Sequence, residues 1–597
     1  MNGIERIKRR TWTIILLMGF GTVGLFVQLI RVQYGPYDPV FQSLAKTSVG
    51  ALEKLLPSRG QIFDRDGSLL ATNASLFYLE IETLQLNQKS IEDIALVLAE
   101  LLTLPEDDLQ GQLAQDHEAA GRFRIRMTYE SEAGSRYPIT IEAVEAGILT
   151  TFLEDPQGPD LSGLALVNAQ QRVYPAGDLT GHLLGFVNQE GTGFFGVEGF
   201  YDDWLSGNPI TILRAYIPLE ASLQPEPPAG VNLALTIDIE IQQLSDVALE
   251  RAIQRTGAES GQIIIMDPSN GEILAMVAWP RLDPTNYEKW LSVAEEETLV
   301  ISPAIAGQYE PGSTFKVLVM AAALNEGVVT PYEEFIDTGE IEVGGAIIRN
   351  WDGEAWGLQT MSGCIQNSLN VCLAYVGSNR LRAGSFYAAM QDFGIGSLTG
   401  IDLAGEVPGS LRTPRHPMWT EADLGTNSFG QGVSVTPIQL ITAFGAVANG
   451  GEMIQPHIVL QVAGPKGVYW PKANVLGRPI SEQAAREMTL MLSNALERDG
   501  GLGVVPGYTM AGKTGTAQIP TEFGYDPNFT VASFIGWGPV EDPAFVVYVR
   551  LDRPTLSPWG SEVAAPAFKE IVERLVIQLE IPPNREINQA ASLFVGN

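Results

Sequence analysis

A long uncharged segment near the N-terminus limits where the rest of this chain can fold. Residues 12–30 read WTIILLMGFGTVGLFVQLI and contain no Asp, Glu, Lys or Arg. As a helix the segment would be about 28 Å long, close to the thickness of a hydrocarbon core. Four basic residues precede it, and basic flanks stay in the cytoplasm: Arg6, Lys8, Arg9 and Arg10. We therefore predict a cytoplasmic tail over residues 1–10, a transmembrane helix over residues 11–33 and an extracytoplasmic location for all that follows.

A cleavable signal peptide is the alternative interpretation of this segment. The apolar core of a signal peptide is usually about 7–15 residues long and ends at a small-x-small cleavage site. The run here is longer, and the RVQYGPYDPV that follows it contains no such site. We expect a permanent single-pass anchor in the cytoplasmic (inner) membrane.

Composition and charge exclude several other classes of protein. The chain has 597 residues, of which 45% are hydrophobic and 18% charged, so it can bury the cores of several domains. Its net charge of −33 repels phosphate backbones, which argues against nucleic acid as a partner. Four scattered histidines lack metal-ligand spacing, so we predict no metal and no cofactor: His117, His182, His416 and His457.

The two cysteines, Cys364 and Cys372, are too few for a disulfide framework. On one unbroken helix they would lie about 12 Å apart along the axis, too far to bridge. A loop between them would make a disulfide possible. We favour the interpretation that they are two separate, small, buried residues.

A proline-rich stretch divides the exported part of the chain. LEASLQPEPPAG, residues 219–230, has three prolines within four residues and is typical of a linker. We predict a first exported domain over residues 34–225 and a large mixed α and β domain over residues 226–577. Residues 578–597 are expected to form a loose tail.

Local patterns predict several elements inside these domains. QIF and SLLATN flank an Asp-Arg-Asp-Gly turn within residues 57–73, which is typical of a hairpin. A second hairpin is expected where two apolar runs flank Pro-Ser-Asn-Gly in residues 261–280. Asp238 precedes an apolar helical pattern and is the expected N-cap. A further helical pattern occurs near residues 90–115, and strands are expected over residues 530–552.

The first stretch with chemical content is YEPGSTFKVLVMAAALNEG. Pro311 and Gly312 break the chain just before an apolar helical run, so Ser313 would lie in the first turn and Lys316 one turn later on the same face. A serine is a weak nucleophile unless a base takes its proton, and a lysine serves as that base when its pKa is lowered. S-x-x-K alone is a weak signal, because this pair is common on solvated helix faces.

The second stretch is NSLN, within SGCIQNSLNVCLAYVG. Ser368 offers a hydroxyl that could relay a proton, and Asn370 offers an amide that could hold a peptide bond. Taken alone the pattern is equally well explained as a helix cap.

The third stretch, GYTMAGKTGTAQ, has two interpretations. It fits the phosphate-binding pattern G-x-x-x-x-G-K-[ST], and its KTGTAQ also fits the Lys-Thr-Gly strand of serine enzymes that attack D-Ala-D-Ala peptides or β-lactams. The phosphate interpretation requires a helix after Lys513, whereas β-branched Thr514 and Thr516 and then Pro520 follow it. Nucleoside triphosphates are also scarce outside the cytoplasm. The second interpretation makes Lys513 a cation that keeps Lys316 neutral, with the two threonines binding a carboxylate.

The order of these three stretches after a membrane anchor is more specific than any one of them. Together with RGQIFDRDGSLLATN, GVEGFYDDWLSG, MDPSNGEILAMVAWP and FGQGVSVTPIQL, they resemble a class B penicillin-binding protein, a peptidoglycan D,D-transpeptidase. The resemblance covers nearly the whole chain. It implies an α+β multidomain architecture: a transmembrane helix, an elongated pedestal or dimerisation domain, and a β-lactamase-like transpeptidase domain with a five-stranded antiparallel sheet flanked by helices.

The resemblance also implies a role for each motif residue. Ser313 would attack the penultimate D-Ala of a donor stem peptide, with Lys316 as base. Ser368 would pass the proton to the departing D-Ala, and Asn370 would hold the donor backbone. The terminal carboxylate would be bound by the third stretch: Lys513, Thr514, Gly515 and Thr516. The backbone N–H groups of Ser313 and Thr516 would form the oxyanion hole, and β-lactams would acylate Ser313.

Several alternatives stay open within this resemblance. YEPGS and SLN favour a division-type enzyme over an elongation-type one, although LATN and KTGTAQ occur on both sides. Leu369 departs from the small or polar residue common at its position, which affects the donor pocket. The rivals are a membrane-anchored β-lactam sensor or β-lactamase, and a non-catalytic scaffold of wall synthesis. The partner implied by the family is a polytopic membrane glycosyltransferase that touches the anchor and pedestal.

Overall fold

The structure of the protein is a computed structural model. It describes Trp12, Met18, Gly19 and Thr22 of the N-terminal segment and residues 51–585, apart from residues 56, 84, 119–124, 131–135, 215–226, 288, 290–300, 466, 499–501 and 522–523. Within that part of the chain, no helix combines the length and apolar character that a membrane crossing requires. Most of the predicted transmembrane helix and most of the predicted linker lie outside the described residues.

The described chain up to residue 256 folds into a mixture of strands and helices. The strands are β1 Ala51–Leu55, β2 Ile62–Phe63, β3 Leu69–Ile81, β4 Ile125–Arg126, β5 Thr128–Glu130, β6 Arg136–Pro138, β7 Thr140–Ile141, β8 Leu164–Val173, β9 Phe186–Val187, β10 Gly193–Phe194, β11 Ile210–Arg214 and β12 Asn232–Leu235. The helices are α1 Gln88–Leu102, α2 Glu106–Glu118, α3 Ala143–Glu154, α4 Gly181–Leu184, α5 Gly196–Phe200, α6 Asp202–Leu205 and α7 Ile239–Thr256.

The described chain after residue 256 also contains both strands and helices. The strands are β13 Ser260–Met266, β14 Ile273–Trp279, β15 Glu334–Asp337, β16 Glu340–Val343, β17 Ala346–Arg349, β18 Gly357–Thr360, β19 Met453–Ile454, β20 Val459–Gly464, β21 Gly467–Tyr469, β22 Val475–Gly477, β23 Ala511–Thr521, β24 Gly524–Gly538 and β25 Phe545–Asp552. The helices are α8 Pro303–Ala306, α9 Lys316–Asn325, α10 Met361–Gln366, α11 Asn370–Tyr375, α12 Arg382–Asp392, α13 Glu421–Asn427, α14 Pro437–Ala448, α15 Glu482–Arg498 and α16 Gly560–Gln578.

The chain divides into two compact units. The first comprises residues 1–58 and 207–230, and in its described part β1 pairs antiparallel with β11. The second comprises residues 59–206 and 231–597.

An eight-stranded sheet organises the N-terminal part of the second unit. Its order is β21-β20-β12-β2-β3-β4, with β7 and β8 also paired to β3. The predicted hairpin in residues 57–73 is confirmed, because β2 pairs antiparallel with β3. Helix α1 packs apolar residues such as Ile94 and Leu98 against this sheet, and Asn87 begins the helix with a reciprocal capping box.

A buried ion-pair network joins two of the motifs quoted above. Glu198 of GVEGFYDDWLSG is fully buried and accepts from Arg59 Nε at 2.7 Å and from Arg172 Nε at 2.6 Å. Arg59 also donates to Asp202 Oδ1 at 2.6 Å, and Arg172 donates to the Gly60 carbonyl at 2.8 Å. The network therefore fastens the start of β2 to helices α5 and α6.

Substituting Glu198 should destabilise this region strongly. In Glu198→Gln two buried guanidinium groups lose their shared carboxylate, and breaking a buried pair in this way costs about 3–5 kcal/mol. We expect a clear fall in the urea or thermal unfolding midpoint, whereas exposed Asp203→Asn should change the free energy of unfolding by less than about 0.5 kcal/mol. Equal midpoints for the two variants would contradict this account.

The C-terminal part of the second unit is built on a five-stranded antiparallel sheet, as predicted. Its order is β14-β13-β25-β24-β23. Both faces are apolar, as the alternation along β25 illustrates: Val547 and Val549 face one core with α7 and α16, whereas Val546 and Tyr548 face the other with α9 and α14. Because both faces of the sheet are covered, its edge strands are the part that a ligand can reach, and β23 is one edge strand.

The predicted local signals in this part are also confirmed. β13 and β14 form a hairpin, and the Asp238 side chain accepts from the N–H groups of Glu240 and Ile241 at the start of α7. At the start of the predicted tail the chain turns back, because the N–H groups of Asn584 and Arg585 donate to the Gly507 carbonyl. Residues 586–597 lie outside the described residues.

Candidate active site

Ser313 lies on a tight turn that runs directly into helix α9. Residues Gly312–Thr314 form a single 3₁₀ turn, Phe315 has helical dihedral angles, and α9 begins at Lys316. In a continuous helical segment, residues three apart share a face. Ser313 is partly exposed whereas Lys316 is fully buried, so the serine turn reaches the surface while the lysine side chain lies inside the fold.

Two glycines allow this turn to approach strand β23 closely. Gly312 has φ +56°, and a Cβ there would lie 2.9 Å from the Thr516 carbonyl oxygen. A Cβ on Gly515 would lie 2.3 Å from Ser533 Oγ and 2.9 Å from Thr314 Cγ2. Larger residues at either position would push turn and strand apart. The glycines therefore bring the Ser313 turn next to the Lys-Thr-Gly stretch.

The Lys316 amine is held by the second motif. Its Nζ donates to the Ser368 carbonyl oxygen at 2.6 Å and to Asn370 Oδ1 at 2.8 Å. Ser368 Oγ lies 3.2 Å from the same nitrogen. A neutral amine has two N–H bonds and one lone pair, so the two carbonyl oxygens use both donors and the lone pair is left for a hydroxyl proton. The geometry suits an amine that acts as a base.

Burial and charge both favour that neutral form. Desolvation lowers the pKa of Lys316 well below its ordinary value, and the positive charge of Lys513 lowers it further. This is the effect predicted for Lys513 from the sequence.

Ser368 has an unusual backbone conformation. Its φ is +53°, in the left-handed region that non-glycine residues rarely occupy. It lies where the chain leaves α10 and enters α11, and the Leu369 N–H donates to the Cys364 carbonyl at 3.0 Å across this break. A conformation of this kind persists only where the surroundings impose it, and such sites cluster in functional regions.

The two cysteines are buried as expected, but the expectation that they are not bridged is wrong. Cys364 and Cys372 form a disulfide, with their Cα atoms 6.1 Å apart. The helical pattern over residues 361–375 is interrupted at residues 367–369, and this break returns Cys372 towards Cys364. The loop that would make a bridge possible is therefore the S-x-N stretch itself.

Leu369 lies between the two polar residues of the second motif. Its side chain is fully buried in the main apolar core of this part of the chain. The atypical residue at this position thus supports the turn from within, while Ser368 and Asn370 on either side contact Lys316.

Lys513 lies within strand β23, which continues from Ala511 to Thr521. A phosphate-binding loop would require a helix here, so that interpretation of GYTMAGKTGTAQ is wrong. Lys513 is 6% exposed and its Nζ donates to the Thr514 carbonyl at 3.3 Å. Thr514 and Thr516 are partly exposed on the strand, and Thr516 Oγ1 accepts from the Gly560 N–H at 3.2 Å, which leaves its own proton to donate.

Sequence reasoning missed the residues that brace the second motif. Asn370 Nδ2 donates to the Arg349 carbonyl at 3.0 Å, and the Val371 N–H donates to Asn350 Oδ1 at 3.2 Å. Asn350 in turn donates to buried Asp337 at 2.9 Å. Arg349 and Asn350 lie 21 positions before the residues they bind, and Asp337 lies a further 13 positions before Asn350, and no local pattern in the sequence marks any of them.

Comparisons with known proteins agree with this arrangement. The Penicillin binding protein transpeptidase domain family matches residues 261–573, and the Penicillin-binding Protein dimerisation domain family matches residues 54–209. Stage V sporulation protein D of Bacillus subtilis is 31% identical over 99% of this chain and 88% of its own length. Peptidoglycan D,D-transpeptidase FtsI of Escherichia coli K12 is 28% identical over 98% of this chain and 95% of its own length.

Solved structures show the same fold. Penicillin Binding Protein 2X from Streptococcus thermophilus matches with a TM-score of 0.73 at 22% identity, covering 88% of this chain and 80% of its own. Penicillin binding protein 3 from Mycobacterium tuberculosis, complexed with aztreonam, matches with a TM-score of 0.65 at 23% identity, covering 90% and 99%.

The transpeptidase family matches more than half of the chain, and the sporulation protein is similar to nearly all of it. Both family matches lie in the order expected from the sequence, with the dimerisation domain first. This chain belongs to the class B penicillin-binding proteins.

Proposed function

We propose that this chain is a serine-type D-Ala-D-Ala transpeptidase that cross-links peptidoglycan stem peptides and is a target of β-lactams. The observation that carries this proposal is the Lys316 amine: it is fully buried, beside Lys513, and within hydrogen-bond distance of Ser368 and Asn370. A buried amine with a lowered pKa, three residues from a partly exposed serine, is what acyl transfer through a serine requires.

In the first half-reaction Ser313 Oγ attacks the carbonyl carbon of the penultimate D-Ala of the donor peptide. The hydroxyl proton passes to Lys316 Nζ, and the charge on the carbonyl oxygen is met by the backbone N–H groups of Ser313 and Thr516. The C–N bond to the terminal D-Ala then breaks. Ser368 relays the proton from Lys316 to the departing amine, and an ester to Ser313 remains.

In the second half-reaction an amine of a neighbouring stem peptide attacks this ester. Its proton returns through Ser368 and Lys316 to Ser313 as the ester bond breaks, so the free serine is restored and a new amide is formed. Lys513, Thr514 and Thr516 hold the donor carboxylate during the first step, and Asn370 holds the donor backbone. A β-lactam follows the first half-reaction, but its leaving group stays attached.

A labelling experiment tests the proposal and separates the alternatives. Full-length protein in membranes is incubated with a fluorescent penicillin, and the modified peptide is mapped by mass spectrometry. We expect label on Ser313 that persists for many minutes and, in a separate sample without penicillin, amide formation when a D-Ala-D-Ala stem peptide and an acceptor amine are supplied. Rapid release of hydrolysed penicillin would identify a β-lactamase instead.

Stable label without any amide formation would identify a sensor. Absence of both label and turnover would favour the scaffold alternative, in which the fold organises wall synthesis without chemistry.

The finer parts of the proposal concern location and partners. The uncharged segment at residues 12–30 supports a single-pass anchor with the catalytic part outside the cytoplasmic membrane. YEPGS and SLN support a role in division, and the family resemblance implies a polytopic membrane glycosyltransferase as the partner. A tagged chain should localise to the septum, and uniform side-wall labelling would instead indicate elongation.

A further inference from the structure

The disulfide encloses the very turn that holds the base. Cys364 lies in α10 and Cys372 in α11, and both side chains are fully buried. The residues between them include Ser368 and Asn370, whose oxygen atoms surround Lys316 Nζ. The disulfide therefore closes a loop, and the catalytic S-x-N stretch lies in the middle of that loop.

The backbone of this turn also depends on the cysteine positions. The Leu369 N–H donates to the carbonyl of Cys364 itself, and the Asn367 N–H donates to the Gly363 carbonyl at 2.9 Å. These bonds hold Ser368 at φ +53°, a conformation that a free chain would leave. With α10 and α11 unlinked, the turn would keep these hydrogen bonds but lose the constraint on the distance between its two ends.

We propose that the Cys364–Cys372 disulfide is a positioning element of the acyl-transfer reaction: it holds the Ser368–Asn370 turn against Lys316 and keeps water from the amine. Neither cysteine touches the substrate, so both act through the turn. The inference rests on the proposed function, because it assigns a purpose to the geometry around the base. It also fits the predicted location, since disulfides persist outside the reducing cytoplasm.

The test compares oxidised wild-type protein with a Cys364→Ala/Cys372→Ala variant, both as full-length protein. The readout is stopped-flow acylation by a chromogenic β-lactam, which separates binding before the reaction from the acylation rate constant. We expect the rate constant to fall about 10- to 100-fold, as displacement of a catalytic group by an ångström does, with the binding constant nearly unchanged.

The pH dependence of the acylation rate is a second readout. A disulfide that only stabilised the fold would leave the midpoint of this pH dependence unchanged. Lys513 is the charged group whose field lowers the pKa of Lys316, and the turn contributes the uncharged Ser368 and Asn370. A loosened turn admits water to Nζ and relieves its desolvation, so the midpoint of the acylation profile should move to higher pH.

A matched control is Leu575→Ala, which truncates a buried side chain of α16 in the core on the other face of the five-stranded sheet. It should lower the unfolding midpoint while leaving the acylation rate constant and its pH midpoint as in wild type. If the double variant does not fold, wild-type protein reduced by TCEP in its folded state replaces it, with free thiols counted by mass spectrometry.

Wild-type acylation rates in both linked and unlinked protein would overturn the inference and leave the proposed function intact. A fall in rate matched by the Leu575→Ala control would also overturn it, because general destabilisation would then explain the loss. Failure of oxidised wild-type protein to react at all would instead overturn the proposed function.

Discussion

Replacing Ser313 by alanine is expected to abolish covalent labelling by penicillin and all transpeptidation. Ser313 provides the only atom that forms a bond to the donor in the proposed mechanism, and loss of a catalytic serine typically costs about 10⁴- to 10⁶-fold. The measurement is intact-protein mass spectrometry after exposure to a β-lactam, which detects the added mass directly. Because Ser313 is partly exposed on its turn, the variant should fold normally.

The control for this experiment is Ser269→Ala. Ser269 is an exposed serine in the β13–β14 turn, at the edge of the sheet opposite β23. The Ser269→Ala protein should be acylated on Ser313 at the wild-type rate. Persistent label on the Ser313→Ala protein, at any residue, would show that another nucleophile is responsible.

Replacing Lys316 by methionine should lower the acylation rate about 10²- to 10⁴-fold, the usual contribution of a general base. Methionine keeps most of the apolar volume of a fully buried side chain, so the fold should survive. The partly exposed Lys569 of α16 offers a control, and Lys569→Met should behave as wild type. Wild-type rates in the Lys316→Met protein would exclude this lysine as the base.

The lowered pKa of Lys316 predicts whether the acylation rate rises or falls with pH. Burial and the neighbouring Lys513 charge lower the pKa of Lys316, so the amine loses its proton at a lower pH than an exposed lysine does. The acylation rate should therefore rise with pH through that lowered pKa and then level off. Lys316→Met should remove this rise, whereas a rate that falls with rising pH over the same range would require a protonated lysine.

The features of this protein that could be predicted from the sequence are those determined by residues close to one another in the chain. Asp238 at a helix start, Pro-Ser-Asn-Gly between apolar runs, and β-branched residues after Lys513 each act through neighbours within a few positions, and each prediction is confirmed. The rejection of the phosphate-loop interpretation followed from the same local reasoning about Thr514, Thr516 and Pro520.

The parts that sequence reasoning missed depend on distant contacts. Next to the break in the helix at residues 367–369, the Arg349 carbonyl binds Asn370 and the Asn350 side chain binds the Val371 N–H, and Asp337 in turn holds Asn350. Without that knowledge the pattern around Cys364 and Cys372 reads as one helix, which placed the sulfurs too far apart. The positive φ of Ser368 has no sequence signature either, because a non-glycine residue adopts it only where its surroundings impose it.

The strand order of the eight-stranded sheet has a consequence for the timing of assembly. β12 lies between β2, its parallel neighbour, and β20, its antiparallel neighbour, so residues near 62, 233 and 462 must meet. A ribosome delivers the last of these some 400 residues after the first. Until then β12 presents an open edge to which any other strand could add. A nascent or truncated chain that stops before residue 459 would therefore be the form most prone to aggregate or to be captured by a chaperone.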